Sequence, residues 1–409
     1  MSISQEQAVP SAAKLTSAGV RHAALAGCCA TLIGIGLARF AYTPLIPALA
    51  AAHWFTASAA AYLGAANLAG YLVGALSGHR LTRYLSARTL LRLMMLLTVA
   101  SLFACELRPL GFAWFFFWRF LSGVTGGAIM VLAAPTVLVA TPPARRGLVG
   151  GAVFTGIGLG IALSGTLIPL FLAYGGLKAA WLGLGGLALV LSALGWSGWP
   201  KEVPSVATKR AAAPRARLPL RAAAVLIEYG LNAVGLVPHM IFLVAFVSEG
   251  LGRGLNSGAA YWVIYGIGAV SGPLLAGKLA DRVGFQSALR LAYALEAAAV
   301  ALPVVADGPL ALALSSAVAG AFTPGVVPLA LGRIHELILP EAERRRAWGY
   351  TTTAWAVSQA VAAYAYAYLF GRTDNYLLLF ALGAAALVLA LIVNFAVAAR
   401  ARGTLNLER

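Results

Sequence analysis

The sequence predicts an all-α membrane protein of twelve transmembrane helices in two related halves of six, and three observations carry that prediction. The 409 residues are 61% hydrophobic and 11% charged, with a mean hydropathy of +0.84, far outside the composition of a water-soluble domain. Breaking the chain at its charge, Pro and Gly clusters leaves twelve apolar segments, each near the roughly 20 residues that cross a bilayer as a helix. A stretch beginning near Ala60 returns 199 positions later: Ala61, Tyr62, Gly78 and Arg83 match Ala260, Tyr261, Gly277 and Arg282. Gly36, Leu37 and Pro44 likewise match Gly230, Leu231 and Pro238. Duplicated membrane halves of this kind are the architecture of secondary transporters.

Residues 1–21 are polar and small, with Lys14 and Arg21 ahead of an apolar run too long for the core of a cleavable signal; they read as a cytoplasmic tail. The first half, 22–199, holds spans one to six at 22–50, 58–78, 89–107, 112–140, 147–173 and 178–199. Residues 200–221 contain Lys201, Lys209, Arg210, Arg215, Arg217 and Arg221 with three prolines, and form the one long polar linker. Spans seven to twelve follow in 222–399, at 222–248, 257–279, 286–305, 310–338, 347–370 and 376–399, leaving 400–409 as a second tail.

The net charge of +17 does not imply nucleic acid, because Lys and Arg sit in short clusters between apolar runs rather than along one face. The clusters instead set orientation. With both termini cytoplasmic, the inner segments hold 23 of the 30 Lys and Arg, against four on outer loops: Arg108, Lys178, Arg253 and Arg372. The run Trp114 to Trp118 marks an aromatic belt at the outer end of span four. Cys28, Cys29 and Cys105 lie in apolar sequence and give neither a disulfide framework nor a metal motif. His335 and Glu336 precede Leu337, Ile338 and Leu339, so no zinc-binding His-Glu-x-x-His exists, and the sequence calls for no metal and no cofactor.

Gly277-Lys278-Leu279-Ala280-Asp281-Arg282-Val283-Gly284 resembles the signature loop between spans eight and nine of the major facilitator superfamily. The first-half counterpart keeps Gly78 and Arg83 but has Thr82 and Leu85 in place of the Asp and the final Gly. Arg119 to Gly123 is similar to the family's Arg-x-x-x-Gly motif in span four, and Gly36 to Pro47 resembles the first helix of a poorly characterised bacterial branch. The drug-antiporter signature of span five is absent. The resemblance covers the whole chain. It implies two pseudo-symmetric six-helix bundles around a central cavity, lined by spans one, four, seven and ten, that opens alternately to each side.

Ionisable residues inside spans are costly and usually face a cavity or a partner. Arg39 and Arg119, with no acidic residue on spans one or four, are read as substrate anchors for an anion, since carboxylate and phosphate match the guanidinium fork. Tyr42 and Thr43 offer hydroxyls, and Asn232, the repeat counterpart of Ala38 near mid-span, is read as a further substrate-binding residue of the cavity. Alternatively, one Arg bonds helix carbonyls near Pro44. Glu228 and His239 on span seven are read as proton-coupling groups, with an ion pair to Arg333 or simple packing as the alternatives. Asp281, Arg282, Arg333 and Glu336 read as gate or latch residues, and Glu296 as a scaffold contact. Gly70 and Gly74, with Gly268 and Gly272, are expected to smooth a boundary between the halves.

These features predict a secondary active transporter of a small organic anion in the bacterial inner membrane, proton-coupled and complete as a monomer. The alternative is an exporter of amphipathic or cationic compounds. Copper uptake would want paired Met, whereas Met94, Met95, Met130 and Met240 show no spacing of three or four. No nucleophile, base or metal set marks a membrane enzyme.

Overall fold

A computed structural model describes residues 17–107, 110–142, 145–200 and 218–407, and every element in it is a helix. The linker residues 201–217, most of the first tail and Arg108 lie outside the described residues. Span one is α-helical over Ser17–Thr31, widens to a π turn over Leu32–Leu37, tightens to a 3-10 turn over Phe40–Tyr42 and resumes over Leu45–Ala51. Spans two, three and four are Ala57–Leu81, Ala87–Ala104 and Gly111–Val139. Spans five and six share the helical run Arg146–Gly195, which leaves helical geometry at Gly175 and Gly176; Gly176 has φ 62°, a conformation that favours glycine. Span seven is Leu220–Val237, continued by π turns over Pro238–Phe242 and Phe246–Gly250. Spans eight to twelve are Gly254–Val283, Phe285–Val305, Pro309–Leu337, Glu341–Thr373 and Tyr376–Leu407.

Ten helices are long and apolar enough to cross a membrane. One of these is the double-length run of spans five and six, and span eleven completes the twelve. Span eleven begins six residues before the 347 expected from sequence, because Glu341, Glu343 and Arg344 to Arg346 form its first turns. Leu76, Phe117, Leu274 and Ile392 are among many large apolar side chains left exposed, as lipid-facing positions are.

The repeat is visible in the backbone. Spans one and seven are both interrupted near the matched prolines, Pro44 and Pro238. Within the first half span two packs on span four, and within the second half span eight packs on span ten. The glycine pairs serve these contacts rather than the boundary between halves, which corrects the sequence expectation. Gly70 and Gly74 face the carbonyls of Phe120 and Val124, and Gly268 and Gly272 face those of Ala317 and Ala321. The halves meet instead where span five lies on span eight and span two on span eleven. At the first of these seams a methyl group on Gly158 would stand 2.6 Å from Val270 N, and one on Gly266 would strike the Ala162 backbone. Periodicity did not separate these two sets because both lie on helices apolar all round.

Gly284 explains the last residue of the signature loop. It turns span eight directly into span nine at φ 79° and ψ 156°, a region essentially confined to glycine. In the first half the link from Leu81 to Ala87 is longer, and Leu85 there has no positive φ. Gly284→Ala is therefore expected to cost ~1–3 kcal/mol, read as a lower midpoint of thermal unfolding of the purified protein. An unchanged midpoint would show that the link relaxes at no cost.

Candidate functional site

The break in span one builds the centre of the molecule. Gly34 and Gly36 bring it against the backbones of Gly126 in span four and Gly160 in span five. In the irregular stretch Ala38 N donates to Ile33 O at 2.9 Å, and Tyr42 N turns to Arg39 O at 3.4 Å, where a regular helix would have it bond Ala38. The Ala38 carbonyl is free for another donor. Arg119, 2% exposed, supplies it: its Nη1 donates to Ala38 O at 2.5 Å, and its guanidinium lies 4.0 Å from the centre of the Tyr42 ring. Asn67 braces this residue from span two by donating to Arg119 O at 3.3 Å and to Ser122 Oγ at 2.8 Å.

Arg39 reaches across to the other half. Its Nη2 donates to Gln359 Oε1 on span eleven at 2.6 Å and lies 4.0 Å from Met240 Sδ on span seven. The guanidinium sits 5.0 Å from the Phe40 ring centre, 5.1 Å from that of Tyr71 and 5.9 Å from that of Trp355, distances at which ring faces attract a cation. Nε of Arg39 and Nε of Arg119 are buried without a hydrogen-bond partner, and no carboxylate pairs with either guanidinium among the described residues.

Both arginines line one small void of about 20 Å³, together with Tyr42 and Thr43 of span one, Leu68 of span two and Met240 of span seven. That is room for about one water, so an organic molecule enters only if these spans part. The end of the bundle opposite the chain termini is closed. There Thr43 Oγ1 donates to Met240 O at 2.5 Å, Ser58 Oγ donates to Ala367 O at 3.3 Å, and the Tyr62 and Tyr364 rings lie 6.2 Å apart.

The remaining sequence-selected residues fall elsewhere. Tyr42 lines the void by its ring but donates its hydroxyl to Ala60 O at 3.0 Å. Asn232 does not reach the void: its Nδ2 donates to Glu296 Oε2 at 2.7 Å inside the C-terminal bundle. Glu228 accepts from Asn394 Nδ2 at 2.9 Å and borders a separate pocket of about 200 Å³ near the terminal end, shared with Arg221, Gln286 and Arg333. His239 Nε2 is 2.7 Å from Ser315 Oγ, and its ring stands edge-on to Phe380. Arg333 bonds Glu336 at 2.8 Å and Gln286 at 3.0 Å, a contact within the C-terminal bundle rather than between halves. Asp281 and Arg282 are exposed and make no ion pair among the described residues.

Sequence reasoning missed Gln359, Tyr71 and Trp355 around Arg39. Gln359 carried a usable signal, being an amide in the middle of a span, but span eleven was not expected at the centre.

Two bundles of six helices, each with a broken first helix, meet around a void lined by Arg39 and Arg119 of the first half and by Met240 and Ile241 of the second. The chain belongs to the family described as uncharacterised MFS-type transporter YbfB, whose model matches residues 31–395. It is thus a multi-pass transporter of the major facilitator superfamily. No curated protein matches it. Among solved structures, a D-xylose–proton symporter is similar at TM-score 0.72 and 17% identity, over 91% of this chain and 97% of that one. The nucleoside transporter NupG is similar at 0.71 and 14%, over 91% and 99%. The xylose transporter XylE from E. coli, in an inward open conformation, is similar at 0.70 and 16%, over 91% and 95%. At these identities the likeness is one of fold.

Proposed function

We propose that this carrier moves a small organic anion, a carboxylate or a similar group, across the bacterial inner membrane by alternating access, coupled to protons, with both termini cytoplasmic and a single chain sufficient. The observation that carries the reading is that Arg39 and Arg119 line the same void while no carboxylate among the described residues pairs with either. Two guanidiniums in a water-poor centre favour an anion over a neutral or cationic ligand. Each arginine is held by a single strong neutral contact, Gln359 or the Ala38 carbonyl, and keeps further donors for a ligand. Arg119 accordingly serves two purposes, closing the break in span one and presenting charge to the void.

Proton coupling is assigned to the C-terminal bundle, where Glu228 and His239 lie off the substrate path. Substrate and proton must together favour closure for the two fluxes to be linked. The test is uptake into proteoliposomes from a panel of lactate, pyruvate, succinate, gluconate and phosphate, with and without a pH gradient. Gradient-driven accumulation of at least one anion is expected. Transport of cationic amphiphiles alone, blocked by Glu228→Gln and indifferent to Arg39→Ala, would establish the exporter reading instead.

A further inference from the structure

Glu228, Asn232 and His239 are four and then seven residues apart and share one face of span seven. That face turns into the C-terminal bundle, where the three residues contact spans twelve, nine and ten through Asn394, Glu296 and Ser315. Ser315 Oγ in turn donates to Ala299 O at 2.6 Å, one turn along span nine from Glu296. A polar seam thus runs through the apolar bundle for about 16 Å, taking 1.5 Å per residue from Glu228 to His239.

Buried polar atoms without a partner gather on this seam. They are Glu296 Oε1, Asn232 Oδ1, Tyr293 OH and His239 Nδ1. Polar atoms are rarely left bare in a native interior, and such groups mark places where water or a proton is taken up. Glu296 is at the middle, 0% exposed, with no cation paired to it among the described residues. The groups within electrostatic reach of its carboxyl are Tyr229 on span seven, Tyr265 on span eight and Tyr293 on span nine. About one helical turn toward the terminal end, the pocket of about 200 Å³ reaches Glu228 and is large enough for several waters.

We infer that Glu296, held by Asn232, is the carrier's proton-binding site, reached from the terminal end through the Glu228 pocket and from the opposite end past His239. The inference rests on the proton-coupled reading above and deepens it. Uptake transfers one proton from water to Glu296 Oε1, converting carboxylate to carboxylic acid. Release returns that proton to water, and no other bond changes.

The test is infrared difference spectroscopy of the full chain in lipid nanodiscs across a pH titration, which needs no identified substrate. A protonated-carboxyl C=O band that falls as pH rises and is missing in Glu296→Gln is expected. Should that variant fail to fold, Asn232→Val removes the donor to Oε2 and is expected to shift the same band. A band that persists at every pH marks a permanently neutral packing residue and overturns the inference, as does a titrating band unaffected by both variants. A titrating Glu296 band in a protein that moves no anion from the panel would keep the proton site and reject the anion reading; gradient-driven anion uptake without that band would do the reverse.

Discussion

Arg39→Ala is expected to weaken anion transport by about ten- to a hundred-fold while leaving the carrier folded. Hydrogen bonds to charged groups are worth about 1.5–3 kcal/mol, and each 1.4 kcal/mol is tenfold in affinity. Arg39→Ala strands the buried Gln359 Oε1 at a cost of about 1–3 kcal/mol, but the fold holds because Gln359 Nε2 still lies 3.4 Å from Met240 Sδ and the three aromatic rings are already packed on neighbours. Arg39→Lys keeps the charge without the planar group that lies among Phe40, Tyr71 and Trp355, and an intermediate rate is expected. Uptake with the anion selected from the panel, alongside thermal unfolding, separates the two effects. Arg119→Ala likewise strands the buried Ala38 carbonyl at a cost of about 1–3 kcal/mol, and because that bond closes the break in span one, it should lower both transport and stability.

The second large effect is on folding, and it distinguishes two glycines five residues apart on span eight. Gly272→Leu would drive a side chain into the Ala321 carbonyl of span ten, where the obstacle is backbone and not a side chain able to turn aside. Overpacking of this kind costs typically ~1–3 kcal/mol and sometimes more, and loss of monodisperse protein on gel filtration is expected. Gly277 belongs to the signature loop motif, yet a methyl group there meets nothing within 4 Å. Gly277→Ala is expected to leave thermal stability unchanged or raise it by roughly 0.5–1 kcal/mol, the helix preference of Ala over Gly. If both variants behaved alike, the close approach of spans eight and ten would be wrong.

The contrast shows what was legible in the chain. Span number, the duplication and the placing of Arg39 and Arg119 at the centre of the bundle follow from residues whose cost in a bilayer admits few explanations. Orientation of a helix about its own axis was much less legible. Span seven carries Glu228, Asn232 and His239 on one face, but the sequence does not say which way that face turns; the repeat position of Asn232 points to the centre, whereas its side chain bonds Glu296 inside the C-terminal bundle. Glu296 reads in sequence as a scaffold contact because span nine is expected outside the central set; the structure bonds it to Asn232 of span seven. The glycines of spans two and eight were visible as close-packing residues, but their partners, spans four and ten, depend on packing within each half. Arg119 bonds a helix carbonyl, which the sequence left open as the alternative, and also lines the void.

The most direct test of a central anion site is a structure of the full chain with the anion selected by the uptake panel. The account predicts ligand oxygens within hydrogen-bond distance of both Arg39 and Arg119, with spans one, four and seven parted to admit the ligand. A ligand held elsewhere, with Arg39 still on Gln359 and Arg119 still on Ala38 and neither guanidinium touching it, would contradict the account.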